Sequence, residues 1–203
     1  MFSIIVTGTF LGFSAGLSPG PLMTIVIAKT LQHGTREGIK ASFAPLITDA
    51  PIIVATLLFL KPVAHLDPIM GMLALGGAAL LFYLGHENWT APLPGQIQNV
   101  NAGSSIRQAA LVNIFSPNPW LFWLTVGAPI LHEEWAKHPA YPFLFLIFFY
   151  ALLLGSKTVI ACSLGIYGHF LKDKQRILVI RFLSCILFIY AFILLWKAWG
   201  LLF

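Results

Sequence analysis

Two ionisable side chains lie deep inside long apolar runs. Asp49 stands in "PLITDAPII" and Lys157 in "LLLGSKTVI". At the centre of a bilayer each would cost from about 3 kcal/mol upward, so each needs a partner or a wet cavity. Their signs are opposite. They are expected to approach each other or a shared ligand, and a zwitterion would meet both. Asp49 could alternatively carry a proton, and the bland alternative is a structural ion pair that fixes helix register.

The same runs are broken twice in the same way. Ser18, Pro19, Gly20 and Pro21 read "SPGP", and Ser116, Pro117, Asn118 and Pro119 read "SPNP". Proline donates no N–H, so the carbonyls of Ala15, Leu17, Asn113 and Phe115 lose their helical partners. In hydrocarbon such orphaned groups must face protein or a cavity. Ser before Pro also makes a good helix start. The pattern therefore predicts half-helices beginning at Ser18–Pro19 and Ser116–Pro117 near mid-membrane. A helix N-terminus carries roughly half a positive charge and free N–H groups, which suits a carboxylate. Kinks that only shape packing are the competing reading.

Composition defines the solvent. Of 203 residues, 58% are hydrophobic and 9% charged, with a mean hydropathy of +0.85. A soluble domain carries about 25% charged residues, so lipid is the expected surrounding. Six apolar stretches, about 3–30, 38–60, 68–86, 106–131, 142–168 and 178–202, are long enough to span. They leave no room for a separate soluble domain, and residues 1–203 read as one transmembrane unit. The first stretch lacks the basic flank of a signal peptide and is expected to be retained.

The net charge of +5 is distributed along the loops rather than in a nucleic-acid patch. Lys29, Arg36, Lys40, Arg107, Lys172, Lys174, Arg176 and Arg181, eight of the 12 Lys and Arg, flank connections one, three and five. Lys61, Lys137 and Lys197 lie on the other side. Basic loops stay in the cytoplasm, which predicts both termini outside.

The two motifs divide the chain into residues 1–90 and 104–203, joined by a Pro-, Gly- and Asn-rich linker at 91–103. Three spans in each half mean opposite entry into the membrane. That is an all-α membrane fold of two inverted-topology three-helix repeats, the first helix of each broken at a Pro motif. Matched interrupted helices in such repeats point to a transport site.

Other residues are less specific. Gly71, Gly77 and Ala78 would let the third span pack closely. Trp89, Trp135, Trp196 and Trp199 read as interface anchors, and Trp120 and Trp123 could line a cavity or simply pack. Cys162 and Cys185 read as small buried hydrophobes. No histidine pairs with carboxylates at a ligand spacing, so neither a metal site nor a cofactor is expected. No nucleophile–base set suggests an enzyme.

The ordered set of motifs resembles the lysine-exporter family, which includes homoserine and threonine efflux proteins (LysE/RhtB). "SPGPLMTIVIAKTLQHGTREGIKASFAPLITDAPII" is similar to the family's early "PGPN", its basic turn "HGRRAG" and the "GD" of its second span. "GGAALLFYLG" and "NPWLFWLTVGAPIL" resemble its "GAAYLLYLG" and "NPKAILFFLAFLPQF". This chain departs at Leu22, Thr48 and Trp120, and Lys157 is not a family feature. The resemblance implies a proton-motive-force-driven exporter of a small amino acid or related zwitterion in the cytoplasmic (inner) membrane of a prokaryote. Its partners would be that small molecule and the lipid bilayer, without nucleic acid, and a homo-oligomer is compatible with the sequence. Ser18, Pro19, Gly20, Pro21, Asp49, Ser116, Pro117, Asn118, Pro119 and Lys157 are the candidate substrate-facing residues, with Asp49 also a candidate proton carrier. An inorganic cation transporter is the alternative, though Asp49 facing Lys157 supplies poor coordination. A non-transporting scaffold would leave the breaks and buried charges without a reason.

Overall fold

The computed structural model describes residues 2–58, 67–90, 104–167 and 173–202, and every regular element among them is helical. The linker at 91–103 and the loop charges Lys61 and Lys172 lie outside the described residues. Helices α1 (Phe2–Leu17) and α2 (Pro21–His33) meet at the first proline motif with a bend of 61°. The chain turns back at Gly34, whose φ of 92° favours glycine. It continues as α3 (Thr35–Ser42), α4 (Ala44–Leu58) and α5 (Asp67–Trp89). The second half comprises α6 (Ser104–Phe115), α7 (Pro117–Phe122), a π-helical turn at Trp123–Gly127, α8 (Ala128–Lys137), α9 (Tyr141–Tyr167) and α10 (Asp173–Leu202).

By length and composition, Thr35–Leu58, Tyr141–Tyr167 and Ile177–Leu202 can each cross a membrane, and the bent α1–α2 pair makes a fourth if counted as one span. Their outer faces carry large apolar side chains, among them Phe10, Ile147, Val159, Phe182 and Phe192. Lipid, not water, suits such a surface. The four tryptophans expected at interfaces are all exposed, Trp196 most of all at 84%. One expectation fails here. Cys185 is exposed and Cys162 half-buried, so neither is the fully buried small hydrophobe its apolar run suggested.

Small residues set the helix contacts. Gly8, Gly12 and Gly16 recur every four residues and form one stripe along α1. A Cβ on Gly8 would lie 2.8 Å from the Phe145 carbonyl oxygen, and one on Gly16 2.9 Å from Ser156 Cβ. One on Gly12 would strike the Phe149 backbone. Both series rise together, so α1 and α9 run parallel at backbone contact. In α5, Gly71 faces Leu202, Gly77 faces Leu194 and Phe115, and Gly85 faces Phe188. This pairs α5 antiparallel with α10. The close packing read from Gly71 and Gly77 is therefore present, and α1 carries a second stripe of the same kind.

Gly12→Ala should destabilise the protein by about 1–3 kcal/mol, because backbone atoms cannot give way as a flexible side chain can. Gly20→Ala should stay within about 0.5 kcal/mol, since nothing lies within 4 Å of where the added methyl would sit and the φ of −169° is extended. Unfolding in detergent compares the two directly. Equal stability would mean that the α1–α9 approach is loose.

Candidate functional site

The break between α1 and α2 opens a cavity of about 480 Å³. Ser18, Gly20, Pro21, Asp49, Ser116, Asn118, Pro119 and Lys157 all line it. Both proline motifs and both deep charges thus border one space, although they are far apart in sequence. Pro19 and Pro117 are not among the lining residues. The Pro19 carbonyl instead accepts a hydrogen bond from the Tyr190 hydroxyl at 2.9 Å, and Pro117 is fully buried.

The helix starts differ from those expected. Helix α2 begins at Pro21 with Gly20 in the cap position, two residues later than the Ser18–Pro19 start. Extended backbone at Gly20 leaves Ser18 in the cavity wall rather than at a cap. Thr24 bonds back to the Gly20 carbonyl at 3.0 Å. The N–H groups of Leu22 and Met23, in the first turn, have no intrahelical acceptor, and both residues line the cavity. In the second half Ser116 does precede Pro117 at the start of α7, but its hydroxyl makes no cap hydrogen bond. There α6 and α7 are separated by one residue, and the Ser116 N–H still bonds to Val112 O at 3.0 Å. The two breaks match in sequence more closely than in geometry.

Asp49 is 4% exposed and firmly held. Asn113 Nδ2 donates to its Oδ1 at 2.8 Å and to Thr48 Oγ1 at 2.7 Å. The Tyr150 hydroxyl donates to Oδ2 at 3.1 Å, and the Trp123 side chain is within polar reach of the carboxylate. Two residues on, Pro51 sits inside α4 and frees the Ile47 carbonyl. Such bonds favour the ionised carboxylate and offset part of its desolvation.

Lys157 is 3% exposed, and its ammonium donates to the Gly16 carbonyl at 3.1 Å. That carbonyl belongs to the last turn of α1, where the break removes the usual donors and the helix dipole favours a cation. Asp49 and Lys157 do not form an ion pair. Among the described residues the ion pairs are Lys29–Glu87, Lys40–Glu37 and Lys137–Glu134. Of the two arrangements expected, the direct pair is absent: each charge has its own hydrogen-bond partners, and the two share a cavity.

An aromatic wall completes the site. Phe122 stacks on Phe149 with ring centres 5.3 Å apart, and Trp123 meets Phe149 edge-on at 5.6 Å. Trp123 opens the π-helical turn and is 1% exposed, and its indole fills the space that a Cβ on Gly127 would need. Trp120 is half-buried and donates Nε1 to Ile114 O at 2.8 Å, so it packs beside the cavity rather than lining it. No group of three or more His, Cys, Asp or Glu is placed to hold a metal among the described residues.

The residues missed in the sequence are Asn113 and Tyr150; Trp123, named there as a residue that could line a cavity, does line it. An Asn three residues before a Ser-Pro break, inside an apolar run, is the signal that could have found the first. Tyr150 carries no such mark, because a tyrosine in an apolar helix usually reads as packing.

A bent, broken-helix membrane protein with charged groups around an internal cavity has the architecture of a transporter. The family model for the LysE type translocator matches residues 13–198, and the chain belongs to that family. Members of that family are membrane transport proteins rather than enzymes. The chain is also similar to an uncharacterized membrane protein of Pseudomonas aeruginosa, with 26% identity over 140 residues. That match covers 64% of this chain and 64% of the relative, just under two thirds of the relative's length. No solved structure matches the chain.

Proposed function

We propose that the protein exports a small amino acid or related zwitterion from the cytoplasm, driven by the proton motive force. The observation that carries this reading is the single cavity bordered by both proline motifs, Asp49 and Lys157. The substrate carboxylate meets Lys157 and the first-turn N–H groups of α2, and its ammonium faces the side-chain oxygens of Ser14, Ser18 and Asn118, which line the same space. Asp49, whose oxygens already accept from Asn113 and Tyr150, carries the coupling proton. The apolar side chain of the substrate lies against Phe122 and Phe149.

Six spans in two inverted repeats complete the proposal. Helix direction supports it: α1 packs parallel to α9, and α4 packs beside α6 with Asp49 meeting Asn113. These are the first helix of one half against the second of the other, as an exchange of repeats requires. The α5–α10 pair, third helix on third helix, lies where the axis would pass. Loops one, three and five lie in the cytoplasm and both termini outside in this proposal, which the basic connections support.

Counterflow in proteoliposomes with a panel of labelled amino acids tests the substrate class. At least one neutral amino acid should exchange, and its ester or amide, lacking the carboxylate, should compete poorly. Failure of every amino acid to exchange would overturn the reading. Topology is tested by single cysteines after replacement of Cys162 and Cys185. A cysteine at Thr35 or Lys174 should resist an impermeant thiol reagent in intact cells, and one at Lys137 should label. Equal labelling at all three would rule out the inverted arrangement.

A further inference from the structure

The described residues contain five buried side-chain polar atoms without a hydrogen-bond partner: His33 Nδ1, Glu37 Oε2, Asn88 Nδ2, Ser105 Oγ and Gln108 Oε1. All five fall in one layer, where the end of α2 and α3 meet the end of α5 and the start of α6. The polar links across this seam are few, and beside them apolar side chains of α2, α3, α5 and α6 pack in one cluster. Gln32 Nε2 donates to Asn88 Oδ1 at 2.8 Å, and the Lys29 ammonium, 3% exposed, stands 4.0 Å from Glu87. Ser105 stands beside the Glu37 carboxylate without completing a hydrogen bond. On the far side of the seam, Gln108 holds both Glu87 oxygens at 3.2 Å and ties α6 to α5.

This layer lies to one side of the cavity. The lining includes α2 only as far as Met23 and α6 only from Val112 onward. Lys29 to His33 follow Met23 by roughly 9–15 Å along α2, and Ser105 and Gln108 precede Val112 by roughly 6–10 Å along α6. In the other direction the lining runs back along α1 to Leu11 and through the π-helical turn to Val126. Between cavity and polar layer sit the fully buried Ile25, Val26, Ala41 and Ala109. The seal joins the aliphatic side chains of Ile25 and Val26 to the small Ala41 and Ala109.

A permanent seal would be expected to satisfy its polar groups or to replace them with apolar ones. Each buried unpaired atom costs about 1–3 kcal/mol, and a half-satisfied network is worse than an apolar core. Water would satisfy all five atoms if the seam parted. Hydration of these groups would offset part of the cost of parting the seam, which suits a two-state element.

We propose that this seam is the gate on the Lys/Arg-rich face. Helices α2 and α3 part from α5 and α6 during the cycle, and Gln32–Asn88 with Lys29–Glu87 form its latch. The proposal rests on the transport reading but not on the identity of the substrate.

The test uses a chain lacking Cys162 and Cys185 and carrying Asn118→Cys as a reporter in the cavity. Gln32→Leu with Asn88→Leu replaces the latch amides with apolar groups, which should hold the seam shut without lowering stability. In inside-out vesicles, labelling at position 118 by an impermeant thiol reagent added at the basic face should fall at least tenfold. Labelling from the opposite face should not fall. Unchanged labelling from the basic face in the folded variant would overturn the gate. A second variant, Gln32→Cys with Asn88→Cys and no reporter, guards against misfolding of the first. Bridging its thiols with a short bifunctional methanethiosulfonate, which forms a disulfide to each cysteine, should stop counterflow, and a thiol reductant should restore it. Continued counterflow in the bridged protein would also overturn the gate. If labelling responds as expected while no amino acid exchanges in the unmodified protein, the substrate assignment fails and the gate stands.

Discussion

Asp49→Asn should abolish uphill, proton-driven export while leaving exchange of substrate across the membrane measurable. The substituted amide resembles the protonated acid in size and charge but can neither release nor take up a proton. Asn113 can still donate to its carbonyl, so the contact at 2.8 Å has a replacement. The Tyr150 hydroxyl, which now donates to Oδ2 at 3.1 Å, can rotate to accept from the new amide. Loss of a hydrogen-bonded charge should still lower stability by about 1.5–3 kcal/mol. The discriminating readout is the ratio of driven transport to counterflow in the same proteoliposomes. That ratio should fall at least 100-fold. A parallel fall of both activities would make Asp49 a substrate contact or a structural group, and a normal ratio would move the coupling proton elsewhere.

Lys157→Met should remove substrate binding by a different route. The ammonium neutralises the carbonyl end of α1 through Gly16 and presents its remaining donors to the cavity. Methionine keeps the length of the side chain and its packing against α1, but it leaves the Gly16 carbonyl unpaired. That omission should cost about 1–3 kcal/mol of stability. Loss of the charge should weaken binding of a carboxylate by at least tenfold, and counterflow should need correspondingly more substrate. Lys157→Arg should retain part of the affinity. Because Asp49 and Lys157 have separate partners, the stability losses of Asp49→Asn and Lys157→Met should add. A double variant distinctly more stable than that sum would restore the direct pair that the structure lacks.

The parts of this site legible in the sequence are those where residue type alone is expensive in lipid. Two prolines in an apolar run, a mid-span carboxylate and a mid-span ammonium each demand an explanation wherever the chain folds. Distance was not legible. Opposite signs left open whether Asp49 and Lys157 pair or only share a ligand, and the helix break supplies Lys157 with its own acceptor in Gly16. The start of α2 moved from Ser18–Pro19 to Pro21 because Gly20 takes the extended cap position as readily as serine. Ser116 holds the corresponding position in the other half, so identical-looking motifs close differently. Asn113 and Tyr150 escaped notice because a neutral polar side chain has many satisfactory neighbours, and only the fold selects one. The glycine stripe on α1 was readable as small residues four apart. Its partner on α9 was not, since Phe145 and Phe149 meet it through their backbones. Among the gate residues only Lys29 was read in the sequence, as a loop charge, and its burial changes that reading.

Substrate protection of the cavity is the most direct test of the central claim. In the chain lacking Cys162 and Cys185, a single cysteine at Ser116 should react with a small thiol reagent that reaches the cavity. An amino acid active in counterflow should slow that reaction at least tenfold, with half-protection near the concentration that half-saturates exchange. A cysteine at Lys137, outside the cavity, should react at the same rate with or without it. Equal reaction rates at Ser116 in the presence and absence of a transported amino acid would show that the substrate does not occupy the space between the two proline breaks.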